Sequence, residues 1–174
     1  MTISLIATPG TSTANTFCTL ASADEFLEQN IHTYSAWASA STADRNACLV
    51  WATRLLCDQM TWSGAKSDPL GIDSENQALC FPRENLYDKN GDAIDEDLIP
   101  KFLVEATAEY ARYLRTDDRT ADPDTIGFKK IKAGSLELEI DKWDRKETLP
   151  DSVWEMIRFY GNRATSKMRT LELM

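Results

Sequence analysis

The sequence predicts a mainly α fold: a helical bundle with one β-hairpin and extended terminal arms. Three observations predict it. Ala43–Met60 and Asp97–Arg115 place apolar residues at helical spacing. Phe128–Lys142 breaks that spacing with an apolar/polar alternation. Residues 1–17 and 161–174 flank the patterned region, which divides the chain into an N-terminal arm, a helical domain over 18–160 and a C-terminal arm. The hairpin occupies 127–142 within the middle part. A chain of 174 residues suits one domain with arms.

The elements follow in order. Ile3–Ala7 is a short apolar run before the loop TPGTSTANT, and reads as an arm or edge strand. Ser22-Ala-Asp-Glu25 reads as a capping box that opens a short helix to about Ile31. Ser39–Asp44 is a polar join into the next helix. In Ala43–Met60, Cys48, Trp51, Ala52 and Leu55 mark one stripe, and Leu49, Leu56 and Met60 widen it. A helix apolar over so much of its circumference is expected to be the central core helix. Trp62–Gln77 is loop, punctuated by Gly64, Pro69 and Gly71. Pro82 excludes a regular central strand through ALCFPRENLY.

The stretch DKNGDAIDEDLI, Asp88–Ile99, invites comparison with a calcium loop. Asp88, Asn90 and Asp92 match the first three ligand positions. Ala93 stands where the sharp turn needs Gly, and Ile99 stands where a bidentate Glu is required. The better reading is an Asn90-Gly91 tight turn followed by a helix start. Asp95 and Asp97 would cap that helix, with Pro100 in its first turn. Along Asp97–Arg115, the residues Ile99, Leu103, Ala106, Tyr110 and Leu114 share one face.

RTDDRTADPDT is a polar connector. Then Lys129, Lys130 and Lys132 surround Ile131 on one arm, and Leu136, Leu138 and Ile140 alternate with acids on the other. Opposed charges across the pair would favour one register. A two-stranded hairpin is marginal by itself, so it is expected to pack on the helices or on another subunit. Leu149-Pro-Asp-Ser152 caps a last helix whose face carries Val153, Ile157, Tyr160, Ala164 and Met168. Arg158, Arg163, Lys167 and Arg169 make this end basic, and Leu171, Leu173 and Met174 give it an apolar tip. Such a segment suits an acidic partner surface.

Bulk properties narrow the function. Net charge is −9, the isoelectric point is about 4.6 and mean hydropathy is −0.39. Nucleic-acid binding as a main task needs clustered Lys and Arg, which this balance opposes. It does not oppose a nucleic acid that slides past. MTISLIATPG lacks the basic start and apolar run of a signal peptide, so the chain is expected to stay inside the producing cell. Cys18, Cys48, Cys57 and Cys80 form no C-x-x-C pair, and are expected to be free thiols, with Cys48 and Cys57 facing the core. His32 is the one imidazole and has no nucleophile motif beside it. No phosphate-binding glycine motif occurs. We expect no catalytic residue, no metal site and no cofactor.

The order of segments resembles the head–tail connector (adaptor) proteins of tailed bacteriophages, whose relatives often carry a DnaT-like single-stranded-DNA-binding label. The resemblance rests on SADEFLEQ, then ATRLLCDQMTWSGAKSDPLG, then QALCFPRENLYDKNGDAIDEDLIPKFLVEATAEYARYL, and last GFKKIKAGSLELEI and LPDSVWEMI. It covers roughly residues 15–160. Phe81 departs from it, standing where Trp would precede Pro82-Arg83. The resemblance implies a homo-oligomeric ring, twelvefold, in the virion neck and assembled in the host cytoplasm. It would sit between the portal protein and a tail or tail-terminator (completion) protein. Genomic DNA would pass through the lumen without sequence-specific binding, and no membrane would be involved. Expected portal contacts are Arg158, Arg163, Lys167, Arg169, Leu171 and Leu173. Expected contacts between subunits are Phe128, Ile131, Leu136, Leu138 and Ile140. The alternative is a single-stranded-DNA-binding replication accessory protein. A small hydrolase or metal enzyme lacks candidate residues.

Overall fold

The structure is a computed structural model that describes residues 3–67, 77–121, 130–133, 136–139 and 146–164. Its order is α1 (Leu20–Glu28), α2 (Tyr34–Ala38), α3 (Thr42–Gln59), β1 (Met60–Trp62), β2 (Ala65–Lys66), β3 (Arg83–Glu84), α4 (Lys101–Thr116), β4 (Lys130–Ala133), β5 (Leu136–Glu139), α5 (Asp151–Ile157) and β6 (Gly161–Arg163). The fold is mainly α with some β. No helix among the described residues is long and apolar enough to cross a membrane.

Caps place the helix starts, sometimes one turn from where the sequence suggests. The cap of α1 is Thr19, whose Oγ1 accepts from the Ser22 N–H at 3.1 Å. The expected capping box at Ser22–Glu25 therefore lies inside the helix. Thr19 offers the same hydroxyl chemistry three residues earlier, and the apolar residues Leu20 and Ala23 are already helical. At α3, Ser41 Oγ accepts from the Asp44 N–H at 3.1 Å, within the expected polar join. α4 starts at Lys101 rather than Asp97, with Pro100 as its extended cap. Proline disfavours helical backbone in the residue before it, so the helix cannot include Ile99. Asp97 donates its N–H to Asp95 Oδ1 at 2.9 Å, in a local turn ahead of the helix.

The last helix is shorter than expected. α5 ends at Ile157, the chain turns at Tyr160, and Gly161–Arg163 becomes a strand paired with β1. Ala164 thus leaves the helical face it was assigned, while Met168 lies outside the described residues. Gly161 is required here: a Cβ on it would stand 2.6 Å from the Thr61 carbonyl oxygen. The pairing needs a backbone approach that a side chain would block.

The core forms around α4, which packs against α1, α3 and α5. Leu103, Ala106 and Tyr110 are fully buried, as their spacing predicts. Thr107, Ala108 and Ala111 widen that face. The Tyr110 hydroxyl reaches the Thr148 carbonyl at 2.8 Å, ahead of α5. Burial pushes its pKa well up. On α3 the covered face is Leu49, Ala52, Thr53, Leu55 and Leu56. Trp51, expected in the core stripe, is instead 48% exposed, and Cys48 is half-buried. At 3.6 residues per turn Trp51 sits about 200° round from Leu49, the far side of the helix. Asp24 ties three helices together. Its carboxylate accepts the Trp37 indole N–H at 2.7 Å and an Arg45 N–H at 3.0 Å.

Among the described residues the strands form three antiparallel pairs: β1 with β6, β2 with β3, and β4 with β5. The predicted hairpin is β4–β5. Its register sets Lys130 opposite Glu139 and Lys132 opposite Glu137, the basic arm against the acidic arm. The other two pairs are an addition to the single hairpin expected. They join segments far apart in sequence and are too short to carry an alternation of their own.

Cys57 and Cys80 are disulfide-bonded, with Cα atoms 5.7 Å apart. This corrects the expectation of free thiols for that pair. Spacing along the chain held no sign of it, because the β2–β3 pairing is what returns the second cysteine to the end of α3. Cys18 and Cys48 are free. The bond closes a loop of 23 residues in sequence separation. Cross-linking such a loop restricts the unfolded chain by about 3 kcal/mol. Reduction with a phosphine should therefore lower the melting temperature by roughly 10 °C. A melting curve unmoved by reduction would show the bond to be without effect on stability.

Candidate interaction surfaces

The predicted portal contacts fall on two sides of the Tyr160 turn. Arg158 caps the C-terminal end of α5, is exposed, and pairs with Glu155 at 2.7 Å. Arg163 lies on β6 and is turned onto the domain. Its guanidinium pairs with Glu147 and, at 3.4 Å, with Asp151, and sits 4.9 Å over the Trp154 ring. Arg163 is therefore a cation engaged within the body of the protein. Lys167, Arg169, Leu171 and Leu173 lie outside the described residues. Of the predicted subunit contacts, Phe128 and Ile140 also lie outside. In the β4–β5 register Ile131 is paired with Leu138, and Ala133 with Leu136.

Many of the described cations are paired. Arg45 meets Asp24, Arg112 meets Glu109, and Lys146 meets Asp117 at 2.6 Å. Arg83 spends its guanidinium on backbone carbonyls: Ser63 at 2.7 Å, Gly64 at 2.6 Å, Cys80 at 3.1 Å and Trp62 at 3.3 Å. Several large aromatic side chains are likewise committed. Phe17, Trp37, Trp62, Phe81 and Tyr110 are buried.

The acidic turn at Asp88 is satisfied by its own backbone. Asp88 Oδ1 accepts N–H groups from Asn90 at 2.8 Å and Asp92 at 2.9 Å, and Gly91 supplies the positive φ. These bonds, the Asp92 one foremost, hold the Asp88 carboxyl below its usual range. Among the described residues no cluster of three His, Cys, Asp or Glu is arranged to hold a metal ion. His32 lies exposed in the turn after α1, its backbone N–H on Asn30 Oδ1 at 3.2 Å.

Large apolar side chains that stay exposed among the described residues include Ile31, Tyr87, Leu98, Trp51 and Phe159; two of the surfaces they mark, at Trp51 and at Phe159, were missed by sequence reasoning. The first is a groove of about 240 Å³ between α3 and α4, lined by Ala47, Cys48, Trp51, Leu114 and Asp118. Burial is the main cause that pushes the Cys48 thiol up; Arg115 lowers it and Asp44 raises it. The second is the exposed end of an aromatic chain that starts in the core. Phe17 and Trp62 pack edge-on against Phe81, and Phe81 packs edge-on against Phe102. Phe102 stacks on Tyr160 at 3.7 Å, and Phe159 meets Tyr160 at 5.3 Å. Phe159 itself is 52% exposed. The available signal for the groove was the angle of Trp51 on its helix; for the aromatic chain there was none, since its rings come from five separate segments.

Fold and surface thus define a mainly helical domain whose exposed apolar features include a groove on α3–α4 and an aromatic tip at the end of α5. The chain matches the family described as "Putative DnaT-like ssDNA binding protein" over residues 1–172, and it belongs to that family. No curated protein and no solved structure matches it.

Proposed function

We propose that this chain is a structural virion protein, a head–tail connector that forms a ring between the capsid portal and the tail, with DNA passing through. The observation that carries the reading is the disposition of charge. The described cations are largely held by carboxylates or carbonyls of the same chain, within a protein of net charge −9. Such a surface repels phosphate and lets DNA slide. The helical domain with its β4–β5 hairpin would form the ring body, and the C-terminal arm would dock on the portal. A tail or completion protein would take the opposite face. The protein would act in the virion neck, with no enzymatic role and no cofactor.

A truncation from Lys167 to Met174 tests this. The shortened protein should keep its circular-dichroism spectrum and melting temperature yet fail to co-purify with its portal. Unchanged co-purification would remove the docking role from the arm. The family description favours a second reading, single-stranded-DNA binding in replication. Grooves that bind single strands combine exposed aromatics with clustered cations, whereas the groove at Trp51 is edged by Asp118, with Asp44 as well as Arg115 close by. Retention on a single-stranded-DNA column at moderate salt, with no ring formed on addition of portal, would decide for that reading.

A further inference from the structure

The two apolar surfaces sit at opposite ends of α4. Phe159 leans on Tyr160, which stacks on Phe102 in the first turn of that helix. Leu114, in the groove, belongs to its last turn. At 1.5 Å per residue these points are about 18 Å apart along the axis. A copy cannot seat its own Phe159 in its own groove, so any such contact joins two copies.

The chemistry of the two ends matches. Ala47, Cys48, Trp51 and Leu114 give the groove an apolar floor, and a half-exposed Trp beside a pocket is the composition of an interface hot spot. Asp118 edges it, and Arg115 and Asp44 lie close enough to act on the Cys48 thiol. Phe159 is preceded by Arg158, whose described partner is Glu155 in an exposed ion pair. Exposed pairs of this kind are weak and exchange readily.

We propose that Phe159 of one copy seats in the Trp51 groove of the next copy, with Arg158 facing Asp118. The inference rests on the ring reading above and names the contact that builds the ring. The same two patches are used on every copy, head to tail, which is the contact type that closes into rings.

The test uses the full-length chain with its portal. Phe159→Cys places a thiol opposite the native Cys48 of the neighbour. Diamide takes one hydrogen from each thiol and is reduced to its hydrazine as the sulfur–sulfur bond forms. The expected result is a ladder of covalent multimers on a non-reducing denaturing gel, abolished by adding Cys48→Ser. Separately, Trp51→Glu and Phe159→Glu, both at exposed positions, should weaken assembly roughly thirtyfold. If both Glu variants form rings as the unaltered chain does, with no Cys48-dependent ladder, the contact is overturned while the ring reading stands. A product that stops at dimer also overturns it, since that marks a two-fold pair. A chain that stays monomeric with portal, its Cys48 shielded from alkylation, places the chain's own C-terminal segment in the groove; contact and ring reading then fall together.

Discussion

Replacing Phe81 with Ala is expected to cost about 4 kcal/mol and to lower the melting temperature by more than 10 °C. Phe81 is 1% exposed and is the junction of the aromatic chain. Its ring takes edge contacts with Phe17, Trp62 and Phe102, at centroid distances of 6.0, 4.9 and 6.3 Å. Truncation removes all three contacts and leaves a cavity that side chains from three separate segments would have to collapse to fill. Thermal and urea unfolding of the variant check the effect. Phe81→Leu should lose less than half as much, because it keeps most of the apolar volume. An Ala variant within 1 kcal/mol of the unaltered protein would show that the rings around Phe81 repack freely.

Arg83→Ala is expected to cost about 3 kcal/mol, nearly as much as the core truncation, from a residue that is only partly buried. One guanidinium satisfies carbonyls of Trp62, Ser63, Gly64 and Cys80, which lie on either side of the β2–β3 pair. Without it those oxygens lose their donor, and the connection after β1 loses its anchor. Burial lowers the Arg83 pKa from its ordinary value, yet arginine stays charged at any working pH. Arg83→Lys keeps the charge but replaces a planar fork of donors by a single ammonium, so it should recover less than half the loss. Full recovery by Lys would show that charge, and not the fork, holds the loop. Urea midpoints for the three proteins give the comparison.

Both residues flank Pro82 in the stretch that carries the resemblance, where Arg83 keeps its pattern and Phe81 departs from it. The structure gives both positions a mechanical role. Phe81 closes the core from the side of the long loop, and Arg83 fastens that loop to the end of β1.

Local features were legible where neighbouring residues decide them. Ser41 can cap α3 because the N–H it needs belongs to Asp44, three residues away. The β4–β5 register follows from alternation and opposed charge in one short hairpin. The buried face of α4 follows from its own period, since Leu103, Ala106 and Tyr110 repeat once per turn. The start of α4 was misread by a turn although the signal was local: Pro100 outweighs two aspartates, because a steric exclusion at Ile99 is stronger than the cap those carboxylates offer.

The candidate surfaces were less legible. A run of apolar residues shows that a helix has something to bury, but not which part of its circumference a neighbour will cover. On α3 the covering helices left Trp51 outside. Arg163 read as a docking cation by charge and position, yet the turn at Tyr160 folds it back onto Glu147 and Trp154. The Cys57–Cys80 bond, the β1–β6 pair and the aromatic chain through Phe81 all join segments remote in sequence. Helix, hairpin and turn were written in the chain itself, because each is stabilised by partners a few residues away. Which apolar side chains stayed exposed, and which charges were consumed, was decided by tertiary packing, because burial and pairing depend on groups that only the folded topology brings within reach.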